Sequence, residues 1–197
     1  MLFGSRAGSG LEFHVERDPQ LPCVDVFLGG LHVNTWDNAF YPPLLVRKLG
    51  DELGRLRAPT APPVAFASPS AFFRLAERRM RDDAGAGIAP EVRAALARYE
   101  FLDWGECTNE VKAFAFPEGD HVHLACRMYE GSGVAGGAED PREPTMVSVS
   151  RAVFVETLER SLVVAEREWS ARLAVLTARR DARDGGDASG RPANGEG

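Results

Sequence analysis

The chain has 197 residues, a length typical of one domain, and its 44% hydrophobic and 26% charged residues are ordinary for a globular fold. The net charge of −6 argues against a broad nucleic-acid-binding face, because neutralising phosphates requires clustered Lys and Arg. No apolar run predicts a membrane span or a signal peptide. The composition therefore predicts a cytoplasmic protein that binds neither nucleic acid nor a membrane.

The cysteines Cys23, Cys107 and Cys126 are odd in number and show no C-x-x-C spacing. Each lies among apolar residues, so we expect reduced thiols that act as small hydrophobic groups. This pattern also favours the cytoplasm.

The first third of the chain predicts a sheet that is buried on one side. Leu11–Val15 is a candidate strand, and residues 1–10 are expected to be flexible. Cys23–Leu28 and Leu31–Trp36 are β-prone runs joined by Gly29-Gly30, which predicts a tight hairpin.

The middle of the chain predicts helices. The first follows Asp37-Asn38 and Pro42, with leucines at helical spacing up to Leu56, and an Asp or Asn cap is expected before the proline. Ser68 caps a second predicted helix that reaches Met80, and Pro90 opens a third.

The last third predicts a second sheet and a long helix. Its strands are Glu110–Phe116, His121–Tyr129 and Thr145–Ser150. Val122 and every second residue after it are expected to face the core, while His121, His123, Ala125 and Arg127 are expected to form a solvated face.

Beyond Ser150, apolar residues recur every three or four positions up to Leu176 and predict an amphipathic helix. The fold class is therefore α+β, mainly antiparallel sheet packed on helices with a long C-terminal amphipathic helix. We expect a single domain over residues 11–180 and a disordered tail over 181–197, since the tail has no large apolar residue.

His121, His123 and Cys107 are the candidate catalytic residues. The two histidines are two apart on a strand, so their imidazoles share a face about 7 Å apart and suit one metal ion or an acid–base pair. The interpretation that we favour is a solvated face with no metal or other cofactor. Cys107 stands where a loop meets a strand, but it lies in no signature of a cysteine nucleophile.

The turn from Asn34 to Pro43 is dense in polar and aromatic residues. Trp36, Asp37 and Tyr41 could bind a partner, because Trp and Tyr are favoured interface anchors. In the structural alternative, which we favour, Trp36 closes the core and Asp37 or Asn38 caps the helix.

A second candidate surface is acidic. Five carboxylates lie in sequence around the second sheet and could meet a basic partner: Asp103, Glu106, Glu110, Glu118 and Asp120. An ordinary solvated set of turn residues is the alternative. Glu106 and Arg127 complete the candidate binding residues.

Two resemblances add to this interpretation. Val33–Asn38 with Tyr41-Pro42-Pro43, and Trp104–Thr108 leading into Phe114–Pro117, resemble actinobacterial proteins of unknown function. The hairpin followed by a long helix, from Trp104 to Leu176, is similar in architecture to small immunity proteins of bacterial toxin systems. That likeness implies a protein partner and assigns no residue a role.

Two hypotheses follow from the sequence. The first is a non-enzymatic, immunity-like protein that binds a protein partner, since catalytic motifs are absent and aromatic residues concentrate in a loop. The second is a small enzyme or biosynthetic accessory protein that uses the strand face of His121 and His123.

Overall fold

The computed structural model describes residues 1–15, 17–18, 20–58, 66, 68–81, 87–129 and 144–187. The strands are β1 (Leu2–Gly4), β2 (Ser9–His14), β3 (Cys23–Leu28), β4 (Leu31–His32), β5 (Glu100–Phe101), β6 (Val111–Glu118), β7 (His121–Met128) and β8 (Thr145–Ser150). The helices are α1 (Pro42–Arg57), α2 (Pro69–Arg81), α3 (Pro90–Ala97) and α4 (Arg151–Asp187).

The strands form two antiparallel four-stranded sheets. The order is β1-β2-β3-β4 in the first sheet and β5-β6-β7-β8 in the second, so within each sheet consecutive strands pair with each other. Together with the long C-terminal helix, this arrangement confirms the predicted α+β class. No helix in the described part of the chain is long and apolar enough to cross a membrane.

One hydrophobic core connects the two sheets. The first sheet, helix α1, one face of the second sheet and helix α4 all contribute buried side chains to it, including Val24, Leu49, Leu124 and Phe154. A second cluster lies on the opposite face of the second sheet, where α2 and α3 cover β6 and β7. The second sheet is therefore buried on both faces.

Because both faces of the second sheet are covered, the β7 face that was predicted to be solvated is largely buried. His123 is only 6% exposed, and Ala125 is fully buried. The ring of Phe73 in α2 lies edge-on to the ring of His123, with centroids 5.8 Å apart. His121, at the end of β7, remains exposed. The prediction for His123 and Ala125 was wrong because alternation reports which residues share a face, not whether another layer covers that face.

The hairpin of the first sheet is confirmed, but its second strand is short. Gly29 and Gly30 adopt positive φ angles of 57° and 88° at the predicted turn. We expected a strand up to Trp36, whereas β4 ends at His32. The ladder stops because the Asn34 side chain, and not a backbone carbonyl, accepts the hydrogen bond from the Val26 N–H.

Both ends of the chain also differ from the expectation. Residues 1–10, for which we expected no element, supply β1 and the start of β2, and Phe3 is 5% exposed against the ring of Phe13. Helix α4 continues to Asp187, into the segment expected to be a disordered tail. The remainder of that segment, 188–197, lies outside the described residues.

Candidate docking surface

The loop between β4 and α1 is fixed to the first sheet by Asn34. This side chain is 4% exposed, and its Nδ2 donates to the Val24 carbonyl over 2.8 Å while its Oδ1 accepts from Val26 N over 2.8 Å. The Phe40 N–H donates to the Pro22 carbonyl, and the Phe40 ring is buried. The loop is therefore held at both ends.

The predicted side-chain cap of α1 is wrong. Tyr41 occupies the N-cap position without a side-chain cap hydrogen bond. Asp37 Oδ1 accepts from Ala39 N instead, and Asn38 Nδ2 donates to Asp25 Oδ1 over 2.6 Å. These bonds shape the loop itself, which explains why short polar residues stand well before the helix.

This fixed loop exposes two large aromatic side chains. Trp36 is 65% exposed and Tyr41 is 63% exposed, so the interpretation of Trp36 as a residue that closes the core was wrong. Trp and Tyr are usually mostly buried in a folded chain, and exposed ones are characteristic of binding surfaces. The loop thus exposes the aromatic side chains that the hypothesis of a partner-binding loop requires.

The segment from Trp104 to Thr108 packs beside this loop. The buried Trp104 ring lies edge-on to Phe40, with centroids 6.3 Å apart. Gly105 has a φ of 97°, and a Cβ added to it would lie 2.7 Å from Leu44 Cδ2 in the first turn of α1. The segment therefore lies against the first turn of α1, and the positive φ of Gly105 favours glycine at this position.

Cys107 shows that the loop and this segment meet. Burial raises the pKa of the Cys107 thiol to about 12, and the Asp37 and Glu106 carboxylates add to the shift. Asp37 is thus next to Cys107, and the adjacent Glu106 is exposed. We call Trp36, Asp37 and Tyr41 of this loop, together with the exposed Glu106 beside Cys107, the docking surface.

The environment of Cys107 opposes nucleophilic catalysis. An activated cysteine needs a depressed pKa, provided by a cation or a nearby base. Here the neighbours are carboxylates, and a thiol with a pKa of about 12 is protonated near neutral pH.

Arg127 does not belong to the docking surface. Its Nη1 donates to the Met80 carbonyl at the end of α2 over 2.6 Å, so it lies on the face of the second sheet that α2 covers. Cys126 and Met128, on either side of it, point into the core on the opposite face.

The histidines lie elsewhere, on β7. His123 Nδ1 is 2.6 Å from Ser148 Oγ, and His123 Nε2 is 3.3 Å from Glu118 Oε2. The ring of His121 stacks on the ring of His123 at 6.3 Å and 14°. His123 is thus a buried histidine with a hydrogen-bond partner at each ring nitrogen.

Comparison with known proteins gives one likeness at the level of the fold. No family model matches the chain. No curated protein matches it either. Among solved structures, it is similar to CdiI from Burkholderia dolosa AUO158, with a TM-score of 0.50 and 17% identity over 83% of this chain and 99% of that one. At this identity the comparison shows a shared fold.

Proposed function

We propose that this chain is an immunity-like protein that binds a toxin protein through the docking surface and thereby blocks it. The observation that carries the proposal is the exposure of Trp36 and Tyr41 on a loop that is itself held rigidly. The fold shared with CdiI, which is an immunity protein, supports the same class of function.

A preformed aromatic surface favours tight binding. Because Asn34 and Phe40 already hold the loop, little conformational entropy is lost when a partner covers the two rings. Buried Trp and Tyr side chains at the centre of an interface commonly contribute 2 kcal/mol or more each, on the order of a thirtyfold change in Kd.

The charge of the docking surface indicates a basic partner. Asp37 and Glu106 are carboxylates of the docking surface, and both raise the pKa of the nearby Cys107 thiol. Carboxylates at the rim of an interface steer a partner that presents Lys and Arg. A chain with a net charge of −6 adds to that attraction at long range.

The proposed site of action is the cytoplasm of the cell that makes the protein. Cys23, Cys107 and Cys126 are all free thiols, and unpaired cysteines suit a reducing compartment. A toxin blocked there would be one that acts inside the cell.

The test is calorimetric titration of this protein with the protein encoded by the neighbouring gene. The wild-type chain should bind with one-to-one stoichiometry, and the double variant Trp36→Ala/Tyr41→Ala should bind at least about 100-fold more weakly, since two interface anchors are lost. Both side chains are exposed, so the fold should tolerate their removal.

A matched control removes two exposed apolar side chains on α4. Val163 is 64% exposed and Leu176 is 56% exposed, and Val163→Ala/Leu176→Ala should leave Kd unchanged. The proposal fails if the wild-type chain does not bind, or if the control pair weakens binding as much as the aromatic pair does.

An enzyme remains the second candidate, because His123 contacts Ser148 through one ring nitrogen and Glu118 through the other. A hydroxyl hydrogen-bonded to an imidazole that a carboxylate orients is the arrangement of an activated serine nucleophile, and Ser148 is exposed. A fluorophosphonate probe tests it. Labelling of Ser148 that is lost in His123→Ala would support an enzyme, and an unlabelled Ser148 would exclude this mechanism.

A further inference from the structure

Four potential metal ligands converge on one patch of the first sheet. Glu12 and His14 lie on β2, Asp25 on β3 and His32 on β4. Glu12 is the cross-strand partner of Asp25, and one ligand atom from each of Glu12, His14 and Asp25 lies within 4.8 Å of the other two. Three different strands thus bring carboxylates and imidazoles together, at positions that form no motif along the sequence.

Asp25 is at the centre of this cluster. Its Oδ2 lies 2.8 Å from His14 Nε2, and its Oδ1 lies 3.5 Å from His32 Nε2. Asn38 Nδ2 donates to the same Oδ1 over 2.6 Å. The two carboxyl oxygens therefore each face an imidazole nitrogen.

A cation would add positive charge to this cluster, where Arg6 pairs with Glu12 and two imidazoles face Asp25. Glu12 and Asp25 are like charges directly opposite each other on neighbouring strands, an arrangement that destabilises a sheet unless it is neutralised. His32 Nε2 is shielded from solvent and makes no hydrogen bond among the described residues, with Asp25 Oδ1 in ion-pair range at 3.5 Å. Buried polar atoms of this kind are rare and usually have an explanation at the site.

We propose that Glu12, His14, Asp25 and His32 bind one divalent transition-metal ion of the Zn²⁺ class. Two imidazole nitrogens and two carboxylate oxygens are a donor set that Zn²⁺ accepts in tetrahedral geometry. Ligand atoms of such a site lie roughly 3.4 Å apart, given metal–ligand distances of about 2.1 Å. The separations of 2.8 Å to His14 and 3.5 Å to His32 at Asp25 bracket that value. Glu12, His14 and Asp25 are already within 4.8 Å of one another, and His32 would rotate toward this group to complete the site.

Two existing interactions of these ligands would give way to a bound ion. Binding through His14 Nε2 would replace its hydrogen bond to Asp25, because a nitrogen that binds a metal carries no proton. Arg6, which pairs with Glu12 over 2.5 Å, has a side chain that is 62% exposed and can swing into water. The ion would then supply the positive charge that Arg6 provides without it.

The site would also brace the docking surface, although the proposal does not depend on that function. Asn38, which donates to Asp25, belongs to the same loop as Trp36 and Tyr41. Hydrogen bonds from such outer groups orient metal ligands. A bound ion would therefore fix Asp25, and through Asn38 the loop.

The experiment titrates the metal-free full-length chain with ZnCl₂ by calorimetry and records the thermal melt with and without Zn²⁺. We expect one Zn²⁺ per chain and a higher melting temperature. His14→Gln/His32→Gln and, separately, Asp25→Asn should each weaken Zn²⁺ binding at least about tenfold, since loss of an outer-shell partner alone costs about 10–100-fold. His121→Gln, at an exposed histidine on the second sheet, is the matched control and should bind as the wild type does.

A measurement on the wild-type chain guards against variants that do not fold. Zn²⁺ should shift the imidazole NMR resonances of His14 and His32 and leave those of His121 in place. The proposal is overturned if the wild-type chain takes up no Zn²⁺, if the double histidine variant binds as tightly as the wild type, or if the resonances of His121 shift in place of those of His14 and His32.

Discussion

The carboxylate side chain of Glu52 lies on the core-facing side of α1. It is 7% exposed and pairs with Arg55, whose guanidinium also donates to the backbone carbonyls of Arg98 and Glu100. Burial raises the pKa of Glu52 to about 7, although the Arg55 charge acts in the opposite direction. Arg55 thus connects α1 to the start of the second sheet, and Glu52 pairs with it.

This raised pKa predicts a pH-dependent stability. Below its ordinary pKa of 4.5, Glu52 is protonated in both the folded and the unfolded chain. As the pH rises from there to about 7, the unfolded chain releases the proton while the folded chain keeps it, so the free energy of unfolding falls across this window and levels off above it. The loss attributable to Glu52 over this whole window is on the order of 3 kcal/mol.

Denaturant unfolding of the wild-type chain and Glu52→Gln at about pH 5 and about pH 8 measures this contribution. Glutamine keeps the shape and an acceptor for Arg55 but does not titrate. The wild-type chain should therefore lose more stability than the variant between the two pH values. A wild-type chain that gains stability relative to Glu52→Gln as the pH rises would contradict the assignment.

The helix cap of α2 could be predicted from the sequence, whereas the cap of α1 could not, because the polar residues before α1 bond within their own loop. Ser68 was expected to cap α2, and its Oγ accepts from Ala71 N in the first turn. Asp37 or Asn38 was expected to cap α1, but Asp37 bonds to Ala39 within the loop and Asn38 bonds to Asp25. The sequence could name Trp36 and Tyr41 as anchors, yet whether they were buried depended on tertiary contacts of Asn34 that no local pattern contains.

At the scale of elements, the sequence located strands and helices better than the layers that they form. Strands β3 and β8 have the predicted bounds, because alternation and turn glycines are local signals. The burial of His123 under Phe73 was not predictable, because it depends on where α2 packs. The cluster of Glu12, Asp25 and His32 was missed for the same reason, since the register of three strands creates it.

Gly105 sets the position of the segment that carries Glu106. Its φ of 97° and ψ of −159° belong to a region that essentially only glycine adopts, and Leu44 fills the space where a Cβ would lie. Gly105→Ala should therefore lower the free energy of unfolding by about 3 kcal/mol.

The matched control for Gly105 is Gly119→Ala in the β6–β7 turn. Gly119 also has a positive φ, 54°, but nothing lies within 4 Å of an added Cβ. That variant should lose only about 1–2 kcal/mol, the cost of the left-handed conformation alone. Equal losses in denaturant unfolding would show that Gly105 is not held against α1.

On the scale of the whole molecule, the docking surface lies where the first sheet, α1 and the segment before β6 meet. Val24 and Val26 hold Asn34, while Phe40 packs on Trp104, so two parts of the core fix the loop. The strand face of His123 lies on the opposite side of the second sheet, beneath α2. The two proposed functions therefore use separate surfaces and can be distinguished by location.

Hydrogen–deuterium exchange of the chain alone and in complex with the protein encoded by the neighbouring gene tests the central claim most directly. The account predicts that the partner slows exchange in residues 36–41 and 103–108, because the docking surface becomes covered and its loop loses the openings that allow exchange. Protection confined to β7, β8 or the C-terminal half of α4, with residues 36–41 exchanging as in the free chain, would contradict it.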